Sequence, residues 1–308
     1  MDNSVIITIL SGLANILMVL LAAPFCHGVM RKVTALIQSR QGPPIWQPYY
    51  DLLKLLGKED IESGDSPVMQ RVSVYMSLAT VLVIACLVPM GFSSPINGQG
   101  DVILLIYLLT LSGICTLFAG LAAGSTYSLL GISRQMMIMI TLEPLFVAAI
   151  IIGAIHTHSF RLNTVLDGSV YMNEGFPWSG IIMLAVMLLS FQAFVERVPF
   201  DISEAETELM EGPLMEYSGP KLAIFKYASM VRLIIYSALL VDMFIPWHGE
   251  LAAPLQWLLF WVKIFALALL ITLVAATHAR YRIDQAIRFF ALLLVAALAA
   301  LILAGFGF

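Results

Sequence analysis

Between Glu196 and Gly219 the chain reads ERVPFDISEAETELMEGPLMEYSG, which holds seven of its twenty Asp and Glu residues. The flanking segments are strongly apolar, and acids beside such segments must be hydrated, paired or neutralised. Ser203 followed by Glu206 is a capping box and Gly212-Pro213 is a stop signal, so the spacing predicts a two-turn helix over about 204–211. Glu204 and Glu206 fall in its first turn, where the helix dipole favours negative charge, whereas Glu208 and Glu211 fall at the wrong end. Glu204, Glu208 and Glu211, at i, i+4 and i+7, share one face and repel one another. Crowded carboxylates raise one another's pKa, which suits a proton relay. An ordinary loop with this pattern is a solvated acidic face; the membrane spans on both sides weigh toward function here.

A second candidate is Glu143, nine residues past Arg134 and so about 13 Å into an apolar segment. Pro144 follows it and frees a backbone carbonyl one turn earlier. An ionisable group at such depth is a functional candidate, with a neutral structural glutamate as the alternative. Asp242 and Lys263 lie near the ends of consecutive segments and are expected to pair across their hairpin. Other chemistry has little footing. Cys26, Cys86 and Cys115 lie in apolar segments without Cys-x-x-Cys spacing and read as small buried hydrophobes. His156 and His158 read as surface residues, and neither a metal site nor a phosphate loop, nucleophile elbow or zinc spacing is evident.

The positioning elements are membrane helices. The chain of 308 residues is 60% hydrophobic and 12% charged, too apolar for a soluble domain. Its net charge of −4 does not suggest a nucleic-acid partner. Eight apolar segments, near 5–28, 72–91, 101–122, 135–156, 179–195, 228–247, 254–276 and 288–307, can each cross a bilayer, and the first is expected to be retained as a span. No internal repeat is evident, so the reading is one polytopic all-α domain over 1–308. Fourteen of the sixteen Lys and Arg residues fall on one side of these segments. By the positive-inside rule the loops 31–71 and 196–227 are cytoplasmic and both termini lie outside, in the inner membrane of a cell. Within 31–71, Leu52, Leu53, Leu55 and Leu56 oppose Asp51, Lys54 and Lys58, with Trp46, Tyr49 and Tyr50 close by. That pattern predicts a helix lying along the membrane surface, either an anchor or a docking platform for a soluble partner.

Several of these residues form a series that resembles a known family. It comprises Arg40-Gln41-Gly42-Pro43 with Asp51 and Lys54-Leu55; Tyr127, Gly131 and Arg134 with Glu143; Pro199-Phe200-Asp201; Glu204-Ala205-Glu206 with Glu208-Leu209; and Glu216-Tyr217-Ser218-Gly219. Over about residues 31–232 the series is similar to the subunit 1 family of respiratory complex I. That family includes the membrane subunit of energy-converting group 4 NiFe hydrogenases, formate hydrogenlyase among them. Glu211-Gly212-Pro213-Leu214 and Gly57-Lys58 resemble the hydrogenase branch, while Glu196-Arg197-Val198-Pro199 resembles the complex I form.

The resemblance implies a subunit under a hydrophilic arm, coupling electron transfer to H⁺ or Na⁺ movement. It implies no cofactor on this chain, with the NiFe centre and iron–sulfur clusters on partner subunits. The implied partners are hydrogenase-like large and small subunits, an iron–sulfur subunit and antiporter-like membrane subunits. It places Glu143, Asp201, Glu204, Glu206, Glu208, Glu211 and Glu216 on a proton or conformational relay, with Arg40, Arg134 and Arg197 as charge partners. A quinone-site subunit of complex I is the alternative. A free-standing cation transporter is disfavoured by the absent repeat and by two partner-sized loops.

Overall fold

In hydrocarbon every backbone N–H and C=O must find its partner within the protein, and a helix satisfies both along a single segment. The long apolar runs accordingly form helices. The structure, a computed structural model, describes residues 3–61, 66–90, 100–171, 177–203, 205–210, 212–246 and 252–307. In chain order its helices are α1 (Asn3–Ile37), α2 (Gln47–Leu56), α3 (Pro67–Leu87), α4 (Val102–Ala123), α5 (Thr126–Thr157), α6 (Leu162–Leu166), α7 (Trp178–Phe194), α8 (Glu206–Leu209), α9 (Gly219–Phe244), α10 (Ala253–Thr277) and α11 (Ile283–Gly305). Two 3-10 turns, Ser169–Tyr171 and Gly212–Leu214, sit in the connections. Among the described residues the only β pairing is an isolated bridge between Asp101 and Arg161.

The chain is an all-α integral membrane protein. Among the described residues seven helices, α1, α3, α4, α5, α9, α10 and α11, are long and apolar enough to cross a membrane. The eighth expected span is α7, whose 17 residues make it the shorter one. At about 25 Å it sits at the lower limit for a crossing.

Two segment starts differ most from the sequence expectation, each lying nine residues early. α5 begins at Thr126 rather than near 135, and α9 begins at Gly219 rather than near 228. The charges that were taken to mark loop lie inside these helices because each has a partner. Arg134 meets Glu208 at 2.7 Å, Lys221 meets Asp60 at 3.2 Å and Arg232 meets Glu196 at 3.2 Å. The acidic connection is therefore 195–218. α1 and α5, with 35 and 32 residues, are about 50 Å long against a core of about 30 Å. Both rise past the apolar layer as posts.

The expected surface helix is present as α2. It exposes Tyr50, Leu53 and Leu56, with Trp46 just before it, and Arg31 of α1 holds it through Asp51 at 2.9 Å. α3 packs most closely on α4 and α11 packs along α5 and α7; Phe191 of α7, Phe244 of α9 and Phe290 of α11 are fully buried. The rings of Phe146, Phe194 and Tyr236 join α5, α7 and α9 edge to face and tilted, a geometry aromatic pairs favour. Lys263 donates to the Ile245 carbonyl at 2.7 Å, and its charge and that of Asp242 act on one another across the α9–α10 hairpin.

Candidate functional site

Glu143 lies midway along α5, with Pro144 inside the helix. It is about 25 Å along the axis from Thr126, deeper than the sequence suggested, because Arg134 already lies two turns inside the helix. The side chain is half-buried and lines a cavity of about 70 Å³ walled by Leu109, Leu142, Phe146, Phe194 and Tyr236. A buried water needs roughly 10–15 Å³, so the space admits a few waters but no large ligand. Apart from Thr110 and the Tyr236 hydroxyl, the polar lining of this cavity lies at its far end from the Glu143 carboxyl.

That far end is Gln135, Glu196 and Arg232. Arg232 meets Glu196 at 3.2 Å and Gln135 donates to the same carboxylate oxygen at 2.5 Å. Glu196 has φ +54°, a left-handed conformation that costs a non-glycine residue roughly 1–2 kcal/mol. It ends α7 by turning its N–H back onto the Ala193 carbonyl. Strain of this kind collects where a side chain must be held in one place.

Glu196 and Arg232 also line a second, larger cavity of about 600 Å³. This vestibule lies between α1, α2, α9 and the 195–201 segment, with His27, Arg31, Asp51, Lys54, Arg197 and Lys226 among its walls. The Nδ1 of His27 is buried without a protein partner. Asp51 accepts from Gln47 and Arg31; burial pushes its carboxyl up, but those hydrogen bonds win and hold it below the usual carboxylate range. Asp201 goes the other way. Burial raises it, and Arg280 at 2.9 Å only partly offsets that. The Pro199-Phe200-Asp201 segment is pinned by the Tyr281 N–H on the Pro199 carbonyl and by Phe200 stacked on Phe289.

The acidic connection differs from its sequence reading. The helix is the single turn α8, with Ala205 as its N-cap and no side-chain cap, so Ser203 does not cap it. Met210 follows in the left-handed conformation at φ +50°, which breaks any helical face running from 204 to 211. Glu204 and Glu211 lie outside the described residues, and so does the Glu206 side chain. Glu208 is paired with a cation, Arg134, at 2.7 Å. The hydrogen bond and charge of Arg134 hold it below the usual carboxylate range. Gly131 explains how the loop reaches α5: a Cβ there would lie 2.9 Å from Pro213 and 3.1 Å from Gly212, so only glycine lets the 212–214 turn rest on the helix one turn before Arg134. Tyr217 anchors the end of the loop by donating to the Ala119 carbonyl at 2.9 Å, and burial lifts its phenol to about 12.

The sequence-derived candidates thus fall into three groups. Glu143 stands in the small cavity, and Asp51, Lys54, Lys58, Arg197 and Asp201 stand on the vestibule. Glu208 and Arg134 pair with one another, and Glu216 is half-buried next to Tyr217. Arg40 is exposed and makes no ion pair among the described residues. Reasoning from sequence missed Glu196, Gln135, Arg232 and Arg280, since Arg232 was counted as a loop cation and its partner lies 36 residues away. Among the described residues no three His, Cys, Asp or Glu side chains stand close enough to hold a metal ion.

The profile of one protein family, described as NADH dehydrogenase, matches residues 10–305. Hydrogenase-4 component C of Escherichia coli is 32% identical over 88% of this chain and 86% of its own length. Formate hydrogenlyase subunit 4 of the same organism is 30% identical over 90% and 92%. NADH-ubiquinone oxidoreductase chain 1 of Paracentrotus lividus is 32% identical over 90% and 88%. Among solved structures, a chain of the membrane-bound sulfane sulfur reductase, an archaeal respiratory membrane complex, superposes with a TM-score of 0.85. It shares 25% identity, and the match covers 96% of this chain and 99% of that one.

Proposed function

Because the chain belongs to the NADH dehydrogenase family, we propose that it is the membrane coupling subunit of an oxidoreductase complex, linking electron transfer in a hydrophilic arm to H⁺ or Na⁺ movement. Its named relatives are components of a hydrogenase, a formate hydrogenlyase and NADH–quinone oxidoreductases. In this reading the arm is of the NiFe-hydrogenase type, carries the NiFe centre and iron–sulfur clusters, and docks on α2 and the acidic connection, while antiporter-like subunits continue the ion path. The single observation that carries the proposal is that one ion pair, Glu196–Arg232, lines both the polar vestibule and the intramembrane cavity of Glu143. A change of charge in the vestibule can act on that pair, and the pair on Glu143, without a open pore between them. In this reading Asp201, Glu204, Glu206, Glu208, Glu211 and Glu216 belong to the relay, with Arg40, Arg134 and Arg197 as their charge partners.

Glu143→Gln tests it. The variant is expected to assemble and to keep electron transfer to an artificial acceptor while losing ion uptake in proteoliposomes during turnover. Full ion uptake would reduce Glu143 to a structural role. The vestibule also favours a second reading, a quinone-site subunit, because about 600 Å³ falls within the range of small-molecule pockets. Inhibition of the parent complex by quinone analogues would select that reading, and insensitivity would select the first. The orientation we propose puts 195–218 in the cytoplasm. A cysteine at His158 should then react with an impermeant thiol reagent from outside and one at Glu59 should not; the reverse pattern would invert the assignment.

A further inference from the structure

The segment that follows α2 and the end of the acidic connection are fastened to one another. Asp60 takes the Lys221 ammonium at 3.2 Å, and that lysine side chain is only 5% exposed. Ser218 Oγ reaches the Ile61 carbonyl at 3.5 Å. Gly219 has φ +55°, and a Cβ there would lie 2.5 Å from the Glu59 carbonyl oxygen. Backbone thus rests on backbone, with a buried ion pair beside it. On the other side the Lys58 N–H bonds back to the Leu55 carbonyl at 3.2 Å, so the 58–61 segment continues directly from α2. The result is a clasp between α2 and α9.

What the clasp holds is a stiff rod. α9 runs unbroken from Gly219 to Phe244, with no proline after Pro220. Lys221 and Arg232 are eleven residues apart, which is about 16 Å and three full turns, so they leave the helix on one face. Both are buried. Arg232 reaches across to Glu196, whose own segment is fastened elsewhere. The Glu196 N–H bonds to the Ala193 carbonyl of α7, Gln135 of α5 holds its carboxylate, and Asp201 is held by Arg280. The Glu196–Arg232 pair is therefore a joint between α9 and the α5–α7 side of the bundle. Where α9 stands sets that joint, and the clasp sets where α9 begins.

We propose that Asp60 and Lys221 are positioning residues for coupling: they make α2 and α9 one lever, so that a partner docked on α2 shifts Arg232 against Glu196. The inference rests on the coupling role given above to the Glu196–Arg232 pair, and it names where contact with the arm enters that pair. Energetic coupling between distant sites is carried by packed side chains, ion pairs and rigid elements in contact. Here the contacts run from α2 through 58–61 to Lys221, along α9 to Arg232, and across to Glu196. Other ties hold the fold when the clasp is opened. Arg31 keeps α2 on α1 through Asp51, and Tyr227 of α9 donates to the Leu20 carbonyl of α1 at 2.8 Å.

The experiment uses the whole complex, in detergent and in proteoliposomes. Lys221→Met removes the buried ammonium and leaves Asp60, 35% exposed, to water. Asp60→Asn removes the other charge, and Asp60→Lys with Lys221→Glu reverses the pair. Hydrogen exchange is followed by mass spectrometry in peptides covering 58–61, 219–224 and 192–199. In both single variants exchange should quicken at 192–199 as well as at the clasp, by about 2- to 30-fold, the range for residues along such a network. Ion uptake per electron transferred should fall with it, while electron transfer to an artificial acceptor is kept. The reversed pair should recover both. Faster exchange confined to 58–61 and 219–224 would make the clasp a local fastening and overturn the proposal. So would an unchanged uptake ratio in variants of a complex whose uptake Glu143→Gln abolishes. If Glu143→Gln itself keeps full uptake, the coupling reading fails, and exchange at 192–199 alone decides whether the clasp sets the joint. Should either single variant fail to assemble, the other and the reversed pair still give that answer.

Discussion

The two cavities share a wall and little else. Around Glu143 the surroundings are hydrocarbon-like, the space is about 70 Å³, and the polar groups stand at one end. In the vestibule about half of the lining residues are ionisable, the space is about 600 Å³, and its carboxylates are each paired. The contrast shows what each environment permits. Where water is scarce, a charge interacts strongly and over distance, so one placed carboxyl can sense its neighbour. Where water enters, charges are screened, and many are needed to make one field. The Glu196–Arg232 pair is the single point at which the two regimes touch.

Breaking that point should have the largest effect. Arg232→Leu leaves Glu196 buried beside Gln135 without its cation, and removing one partner of a buried pair costs about 3–5 kcal/mol. The variant is expected to assemble poorly or unfold well below the unaltered protein in a thermal scan. Adding Glu196→Leu should recover most of that loss, since replacing a whole buried pair with apolar groups is often neutral. Ion-coupled activity should stay lost in the double variant. If Arg232→Leu alone were fully stable, the two cavities would not be joined through this pair.

How much of this was legible in the sequence follows from the same contrast. Helices and the class of membrane protein came through because apolar run length is a one-dimensional signal, and α2 came through because its two faces alternate at helical spacing. The start of α9 did not. Lys221 and Arg232 look like loop cations until Asp60 and Glu196, far away in sequence, are brought alongside. Glu143 was found from its depth alone, whereas its polar neighbours required the packing of α5, α7 and α9. The acidic helix was overextended because the capping rule sees Ser203 and Glu206 but not the left-handed Met210 that ends the turn.

A smaller effect should sharpen the vestibule side. Asp201 has its carboxyl raised by burial in the folded protein, so its protonated form suits the fold. For a raised acid the contribution to stability is present below the unfolded value, near 3.9, and is lost as pH rises through the folded value. Asp201→Asn should therefore flatten the pH dependence of the unfolding midpoint on its acid side, with little change at the lowest pH. Arg280→Gln should make that dependence steeper, because the cation that lowers Asp201 is gone. A profile unchanged by either variant would show that the 199–201 segment is solvated.

The smallest expected effect separates an acidic cluster from an ion pair. A crowded face predicts that Glu208→Gln relieves repulsion and stabilises the fold. The observed pairing predicts the reverse, because Arg134 holds the Glu208 carboxyl low at 2.7 Å and is lost as a partner. Glu208 is more than half exposed, so the loss should stay below about 1 kcal/mol and shrink with added salt. The sign with pH is fixed. A depressed carboxylate stabilises the fold above its unfolded value, near 4.3, and that stability disappears as pH falls through the folded value. The variant and the unaltered protein should thus differ at neutral pH and converge in acid. The coupling role adds a second readout: Glu208→Gln should lower ion uptake more than electron transfer to an artificial acceptor. Stabilisation at neutral pH would restore the crowded-face reading, and unchanged stability together with unchanged ion uptake would leave Glu208 as a solvated surface acid.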